Sequence, residues 1–290
     1  MLKEQDLQGI YVPVVTPFQA NGELDLASFE LYVGKLLGDK VNGIVVNGTT
    51  GEAPTVTVEE LISLTTSAIA LGKTKNSPII VGTGTNDTTS TVRRTALAGE
   101  LGADAALVVV PYYSKPSQEG IIEHYRQAAS TGVPIIAYEI PSRTGVRLTP
   151  DTVRSILELE GVIGIKDSSG GVELMLELSR SGSHKPVLCG EDAYFHTMLC
   201  CGAAGGILAS ANVRTSSFVQ VYEQLRQCQL EASRQSFLTL LPLIQLLFEE
   251  PNPAPLKWLL AEQGIIAADT VRLPLTPISE NLRQHLASWL

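Results

Sequence analysis

Several strand-like runs of this 290-residue chain end in residues equipped for carbonyl chemistry. The run Val162-Ile163-Gly164-Ile165-Lys166 closes on a lysine. Side chains alternate along a strand, so Val162, Gly164 and Lys166 share one face, and Ile163 and Ile165 the other. With the isoleucines turned to covering helices, Lys166 points inward. An ionised amine in that position gives up costly hydration unless a carboxylate pairs with it, and Asp167 falls on the opposite face. The amine is thereby driven toward neutrality, and a neutral, desolvated lysine attacks carbonyl carbon to form a Schiff base. Gly164, one layer below, is expected to leave room for the long stem. A strand-end lysine snorkelling to solvent fits the same string.

Three other run ends add functional groups. Pro134–Glu139 carries Tyr138 on one face with Ile136, and continues into Pro141-Ser142-Arg143-Thr144-Gly145. A phenol there can pass a proton, and Arg143 can grip a carboxylate through its fork; a core tyrosine and a surface arginine are the plainer alternative. Asn47-Gly48-Thr49-Thr50-Gly51-Glu52 has the glycines and hydroxyls of an anion nest, or of an ordinary turn. Tyr112 and Tyr113 stand on a proline-bounded loop, where uncovered rings point to a pocket lid or a subunit contact, with local packing as the alternative. Gly82-Thr83-Gly84 begins like a dinucleotide loop, but Asp87 occupies the place of its third glycine, so no nicotinamide site is expected.

What must hold these residues is a set of short β-rich runs with amphipathic stretches between them. Eight runs are found: 10–15, 43–47, 78–82, 105–110, 134–139, 162–166, 187–190 and 205–209. Most are nearly continuous Val, Ile, Leu and Ala, as parallel strands under helices require. Helices are expected over 25–37, 58–71, 88–101, 118–129 and 150–157. Thr57 before Val58-Glu59-Glu60, and Thr149 before Pro150-Asp151, supply cap chemistry, while Gly72, Gly102 and Gly132 sit where helices should stop. Eight repeats with short loops favour a closed (β/α)8 barrel of the TIM type, which takes about 250 residues and carries its active site at the carboxyl ends of its strands. A doubly wound sheet is the runner-up. The barrel is expected over 1–226. The remainder, 227–290, is expected to be a helical C-terminal extension, with Gln220–Glu250 and Asn252–Gly264 as helices split at the prolines Pro251, Pro253 and Pro255.

Composition narrows the chemistry. Charges of 21 Lys+Arg against 30 Asp+Glu give −9, so no broad basic face exists for nucleic acid. No apolar run approaches the roughly 18 residues of a membrane span, and the start MLKEQDLQG lacks the make-up of an export signal; a cytoplasmic location is expected. Cys189, Cys200, Cys201 and Cys228 form no C-x-x-C pair, and His124, His184, His196 and His285 are scattered, so neither a disulfide scaffold nor a metal centre is expected.

Taken together, GTTGE (48–52), PYYSKPSQEG (111–120), PSRTG (141–145), GIKDSSG (164–170), EPNPAPLKW (250–258) and RLPLTP (272–277) make the sequence resemble the dihydrodipicolinate synthase branch of the pyruvate-dependent Schiff-base aldolase and lyase family, over nearly its whole length. The resemblance implies that Lys166 forms an imine with pyruvate and that Thr49, Tyr138 and Tyr113 relay protons, with Tyr113 lent by a neighbouring subunit. It also implies that Thr50 holds the pyruvate carboxylate, and that Gly190 and Ile207 present backbone to the bound pyruvate. The implied reaction condenses pyruvate with L-aspartate 4-semialdehyde to 4-hydroxy-tetrahydrodipicolinate, on the diaminopimelate route to lysine, with no cofactor. The implied assembly is a homotetramer, a dimer of dimers, although a dimer also satisfies a shared relay. Arg143 matches the residue that grips the semialdehyde carboxylate, and a charge-assisted fork is worth roughly 1.5–3 kcal/mol.

Two departures stand out. Glu139 replaces the asparagine usual after the tyrosine; facing away from the pocket, it is expected to change packing or loop anchoring, with an altered aldehyde specificity as the alternative. Positions that hold two histidines and a glutamate in lysine-inhibited relatives carry Val58, Leu61 and Ser90, although Asn86 and Tyr112 remain, so lysine inhibition is expected to be weak or absent. Two other functions are weighed: a pyruvate-dependent aldolase or hydratase-aldolase acting on another 2-oxo acid, and a family-derived ligand sensor without turnover. The complete set of residues argues against the sensor.

Overall fold

A computed structural model describes residues 1–182 and 185–290; Ser183 and His184 lie outside the described residues. Among those described, eight parallel strands close in chain order into a barrel: β1 (Gly9–Pro13), β2 (Gly43–Val46), β3 (Ile79–Gly82), β4 (Ala105–Val109), β5 (Ile135–Glu139), β6 (Val162–Asp167), β7 (Val187–Cys189) and β8 (Gly205–Ile207). Each expected run contributes one strand, and closure sets aside the doubly wound sheet. Helices alternate with the strands: α1 (Leu26–Gly38), α2 (Val58–Lys75), α3 (Thr88–Leu101), α4 (Gln118–Ala129), the single turn α5 (Pro141–Thr144), α6 (Pro150–Leu157), α7 (Glu173–Arg180), α8 (Phe195–Cys200) and α9 (Thr215–Arg226). The chain then runs through α10 (Leu230–Leu247), α11 (Ala254–Glu262) and α12 (Glu280–Leu286). No helix among the described residues is long and apolar enough to cross a membrane.

Capping chemistry sets several boundaries. Thr57 and Glu60 form a full capping box at the start of α2, and Thr149 accepts from Thr152 N–H ahead of Pro150 in α6. Gly102 ends α3 in the left-handed conformation, as expected. Gly72 does not end α2. The helix runs on to Lys75 and stops at Asn76, whose φ of 52° takes the left-handed role, because Gly72 is buried and packing keeps it helical. The expected single helix over 220–250 is also divided: α9 stops at Arg226 and α10 starts at Leu230, with Cys228 at φ 60° in the link. Neither glycine nor proline marks that break.

Packing divides the chain into two compact units, residues 1–9 with 78–207 and residues 10–77 with 208–290. In the first, Val109, Tyr138 and Lys166 stand level on β4, β5 and β6, and Lys166 is level with Leu188 on β7. The first residues of the chain are built into this unit. Gly9 N–H donates to Ala204 O at 3.0 Å, and a Cβ on Gly164 would meet Leu7 Cδ2 and Pro186 O, each at 2.7 Å. Gly164 therefore makes room for Leu7 and the backbone before β7, which corrects the expectation that it accommodates the Lys166 stem.

In the second unit, β1 pairs with β2 in register Val12 to Ile44. Asp25 caps α1 through Ser28 N–H. The buried Asn212 amide donates to Pro13 O at 2.9 Å and Ala209 O at 2.7 Å, fixing the chain after β8 to the end of β1.

Candidate active site

In the first unit, Lys166 emerges near the carboxyl end of β6 with only 6% of its surface exposed. The snorkelling alternative is thereby excluded. Its Nζ lies 4.2 Å from the centre of the Tyr138 ring, which itself is buried. Tyr138 reaches it because the two residues are level on neighbouring strands with side chains on one face. No ion pair to Lys166 exists among the described residues.

Room for the lysine stem comes from Gly190, just after β7. A Cβ at that position would stand 2.6 Å from Lys166 Cε, 2.9 Å from its Cγ and 2.2 Å from Ser168 Oγ. Any side chain there would displace the amine. Ile207, at the end of β8, is fully buried.

Arg143 projects from α5, exposed and without an ion pair among the described residues. Such a cation is available to an incoming carboxylate. The loop bearing it is tied at its far end by Glu139, whose Oε1 accepts from Leu148 N–H at 2.9 Å, so the expected loop anchoring is present. Glu139 is fully buried and level with Asp167 on β6. Its Oε2, like Asp167 Oδ2, has no hydrogen-bond partner among the described residues. Burial pushes the Glu139 carboxyl up to about 7, and burial likewise raises Asp167. A protonated acid at either position relieves the cost of two carboxylates behind the Tyr138–Lys166 pair.

Tyr113 is not gathered into this group by its own chain. The residue is 89% exposed and its backbone sits at φ 72°, a conformation unusual for a bulky residue. Glu191, half-buried beside Gly190, did not stand out in the sequence. Burial and the Asp192 charge raise its carboxyl, while the Lys166 and Arg143 charges oppose that rise, so it belongs to the same charged group.

The Gly48–Glu52 segment lies in the second unit. Thr49–Gly51 form a single 3-10 turn, closed by Gly51 N–H to Gly48 O at 3.0 Å, and Glu52 follows in the left-handed conformation at φ 55°. Thr16 Oγ1 donates to Gly51 O at 2.7 Å. Asn252 Nδ2 donates to Thr50 Oγ1 at 3.1 Å, and both residues are buried.

Lys257, from α11, is fully buried, donating to Glu52 Oε1 at 2.7 Å and Thr16 O at 2.8 Å over the face of Phe18. Burial drives its amine down and the Glu52 carboxylate opposes that shift. Arg272 adds a backbone N–H to Glu52 Oε2 at 3.0 Å and forks onto both oxygens of Glu60. This network also escaped sequence reasoning. Its signal was a lysine inside the otherwise apolar run Ala254-Pro255-Leu256-Lys257-Trp258-Leu259-Leu260, where a charge needs a partner.

Comparison with known proteins gives the family of this chain. The sequence profile of the dihydrodipicolinate synthetase family matches residues 6–290. The chain belongs to that family. It is similar to 4-hydroxy-tetrahydrodipicolinate synthase 2 of Clostridium acetobutylicum, with 37% identity over 98% of this chain and 99% of the relative. The dihydrodipicolinate synthase structure from Thermotoga maritima superposes with a TM-score of 0.92 at 37% identity, covering 97% of this chain and 98% of that one. The Acinetobacter baumannii dihydrodipicolinate synthase, solved in complex with pyruvate, superposes with a TM-score of 0.93 at 37% identity, covering 97% of each chain. Membership gives the family's enzymatic class, lyase, to a barrel whose strand-end lysine is already in place.

Proposed function

We propose that this chain is a 4-hydroxy-tetrahydrodipicolinate synthase of the lysine-forming route, and that Lys166 is its Schiff-base nucleophile. The observation that carries the reading is a buried strand-end amine, 4.2 Å from the Tyr138 ring and without an ion pair among the described residues, in a chain of this family. The amine adds to the keto carbon of pyruvate and loses water, giving an imine. Loss of a methyl proton then leaves an enamine, with the imine as electron sink. The enamine carbon attacks the aldehyde of L-aspartate 4-semialdehyde. The semialdehyde amine next attacks the imine carbon, expelling Lys166 and closing the ring of 4-hydroxy-tetrahydrodipicolinate.

Tyr138 is assigned to proton transfer at the imine. Its phenol projects from the strand beside the lysine, which supports that role. Thr49 and Tyr113 join the relay by their match to the family motifs, with Tyr113 supplied by a second copy of the chain. Its exposure and backbone conformation support that supply. Thr50 takes the pyruvate carboxylate. Gly190 and Ile207 offer backbone to the bound pyruvate, and Arg143 takes the semialdehyde carboxylate. The shared relay needs at least a dimer, and we favour the homotetramer of the resemblance. We place the boundary between barrel and extension at 226/227.

Borohydride reduction in the presence of pyruvate tests the first step. A stable adduct mapped by mass spectrometry to Lys166 is the expected result, and an unlabelled Lys166 overturns the reading. A coupled assay then compares L-aspartate 4-semialdehyde with other aldehydes. Turnover confined to a different aldehyde would move the protein to another aldolase branch of the family.

A further inference from the structure

The stretch Glu250–Trp258 touches the Gly48–Glu52 segment at two points five residues apart. Asn252 donates to the Thr50 hydroxyl oxygen, and Lys257 pairs with Glu52. These contacts flank Gly51, whose carbonyl is held by Thr16. Both attachments are buried, Asn252 being 8% exposed, Thr50 4% and Lys257 0%. The turn is thus gripped on either side by one piece of chain more than 200 positions away.

The direction of the Asn252 bond matters. A hydroxyl has two lone pairs and one proton. Because Asn252 Nδ2 is a donor, it occupies a lone pair of Thr50 Oγ1 and leaves that oxygen's proton uncommitted. No acceptor for the proton exists among the described residues. A hydroxyl that already accepts is polarised toward donating. An aspartate at 252 would have the opposite effect, taking the Thr50 proton for itself.

We propose that Asn252 is a positioning residue that commits the Thr50 proton to the carboxylate of pyruvate, with the Lys257–Glu52 pair holding the turn against it. This rests on the assignment of Thr50 to that carboxylate. Asn252 acts through Thr50, so its effect falls on pyruvate capture and leaves the later steps alone.

The test is the pyruvate concentration that half-saturates borohydride trapping on Lys166, which needs no aldehyde. Asn252→Ala is expected to raise that concentration about tenfold, the effect of one buried hydrogen bond, with the maximal extent of trapping unchanged. Asn252→Asp, nearly isosteric, is expected to raise it further, about a hundredfold, by adding a like charge and reversing the bond. In a Thr50→Val background each substitution is expected to change it less than about twofold. An unaltered pyruvate dependence in a folded Asn252 variant, or the same factor with and without the Thr50 hydroxyl, overturns the proposal. Should Asn252→Ala not fold, the Asn252→Asp comparison in both backgrounds decides it. No adduct in the unsubstituted protein overturns the Lys166 reading and this role together, whereas an adduct indifferent to residue 252 overturns only this role.

Discussion

Two buried lysines, one in each unit, have opposite surroundings. Lys257 is wholly enclosed and fully committed, to the Glu52 carboxylate, to the Thr16 carbonyl and to the Phe18 face. Lys166 is nearly as enclosed but has an aromatic face beside it and a glycine against its stem in place of a carboxylate. Burial alone therefore makes neither a nucleophile nor a structural cation. The presence or absence of a carboxylate within ion-pair reach separates the two: Glu52 holds the Lys257 nitrogen at 2.7 Å, whereas Lys166 has no ion pair among the described residues and its nitrogen is left free to meet a ligand.

The sharpest way to break this contrast is to ask both amines for the same reaction. Lys166→Met, which buries no unpaired charge, is expected to lower kcat at least a thousandfold (about 4 kcal/mol) while leaving the folded state intact, since the covalent step has no substitute. In the unsubstituted protein, pyruvate and borohydride should label the Lys166 peptide and leave Lys257 untouched. Label on Lys257 would end the distinction.

Removing the committed lysine should act on stability. Lys257→Met strands the buried Glu52 charge and is expected to cost about 3–5 kcal/mol, seen as a fall in Tm on the order of 10 °C. Adding Glu52→Gln should return most of that loss in the same melting experiment. A single variant that melts like the parent would show that the pair contributes nothing.

A smaller effect sharpens the Lys166 side. The carboxyl of Glu139 is raised by burial from its ordinary 4.5 to about 7, so the folded state binds more protons than the unfolded one between those values. Its contribution to stability is present below about pH 4.5 and lost as pH rises through about 7. Glu139→Gln should flatten that part of the pH–stability curve and raise stability at pH 8 by on the order of 2 kcal/mol, measured by urea unfolding. Equal slopes for the two proteins would remove Glu139 as the buried acid. The smallest effect concerns lysine as a ligand: with Val58, Leu61 and Ser90 in place of basic and acidic groups, millimolar lysine is expected to change the rate less than about twofold. A micromolar inhibition constant would contradict this.

How far the sequence carried these readings depended on whether a feature was periodic or pairwise. The eight strands follow from short, nearly continuous apolar runs and the inward aim of Lys166 from alternation along one of them; the barrel has those eight strands, and Lys166 is buried. Helix ends at Thr57, Thr149 and Gly102 were legible because capping is local. What escaped was set by distant partners. Gly164 is required by Leu7, more than 150 positions earlier, and the role expected of it belongs to Gly190. The Lys257–Glu52 and Asn252–Thr50 contacts join residues more than 200 positions apart. The break at 227–229 falls on Cys228, a residue with no bias toward a positive φ.

The docking of the first residues against late ones has a consequence for synthesis. Leu7 lies against Gly164, and Gly9 bonds to Ala204. A ribosome adding about 5–20 residues per second exposes Leu7 for roughly 10–40 seconds before those partners emerge. For that interval one of the first-made apolar side chains of the core has no native place to go. Nascent chains stalled short of residue 204 should therefore engage holding chaperones more strongly than chains released just beyond it.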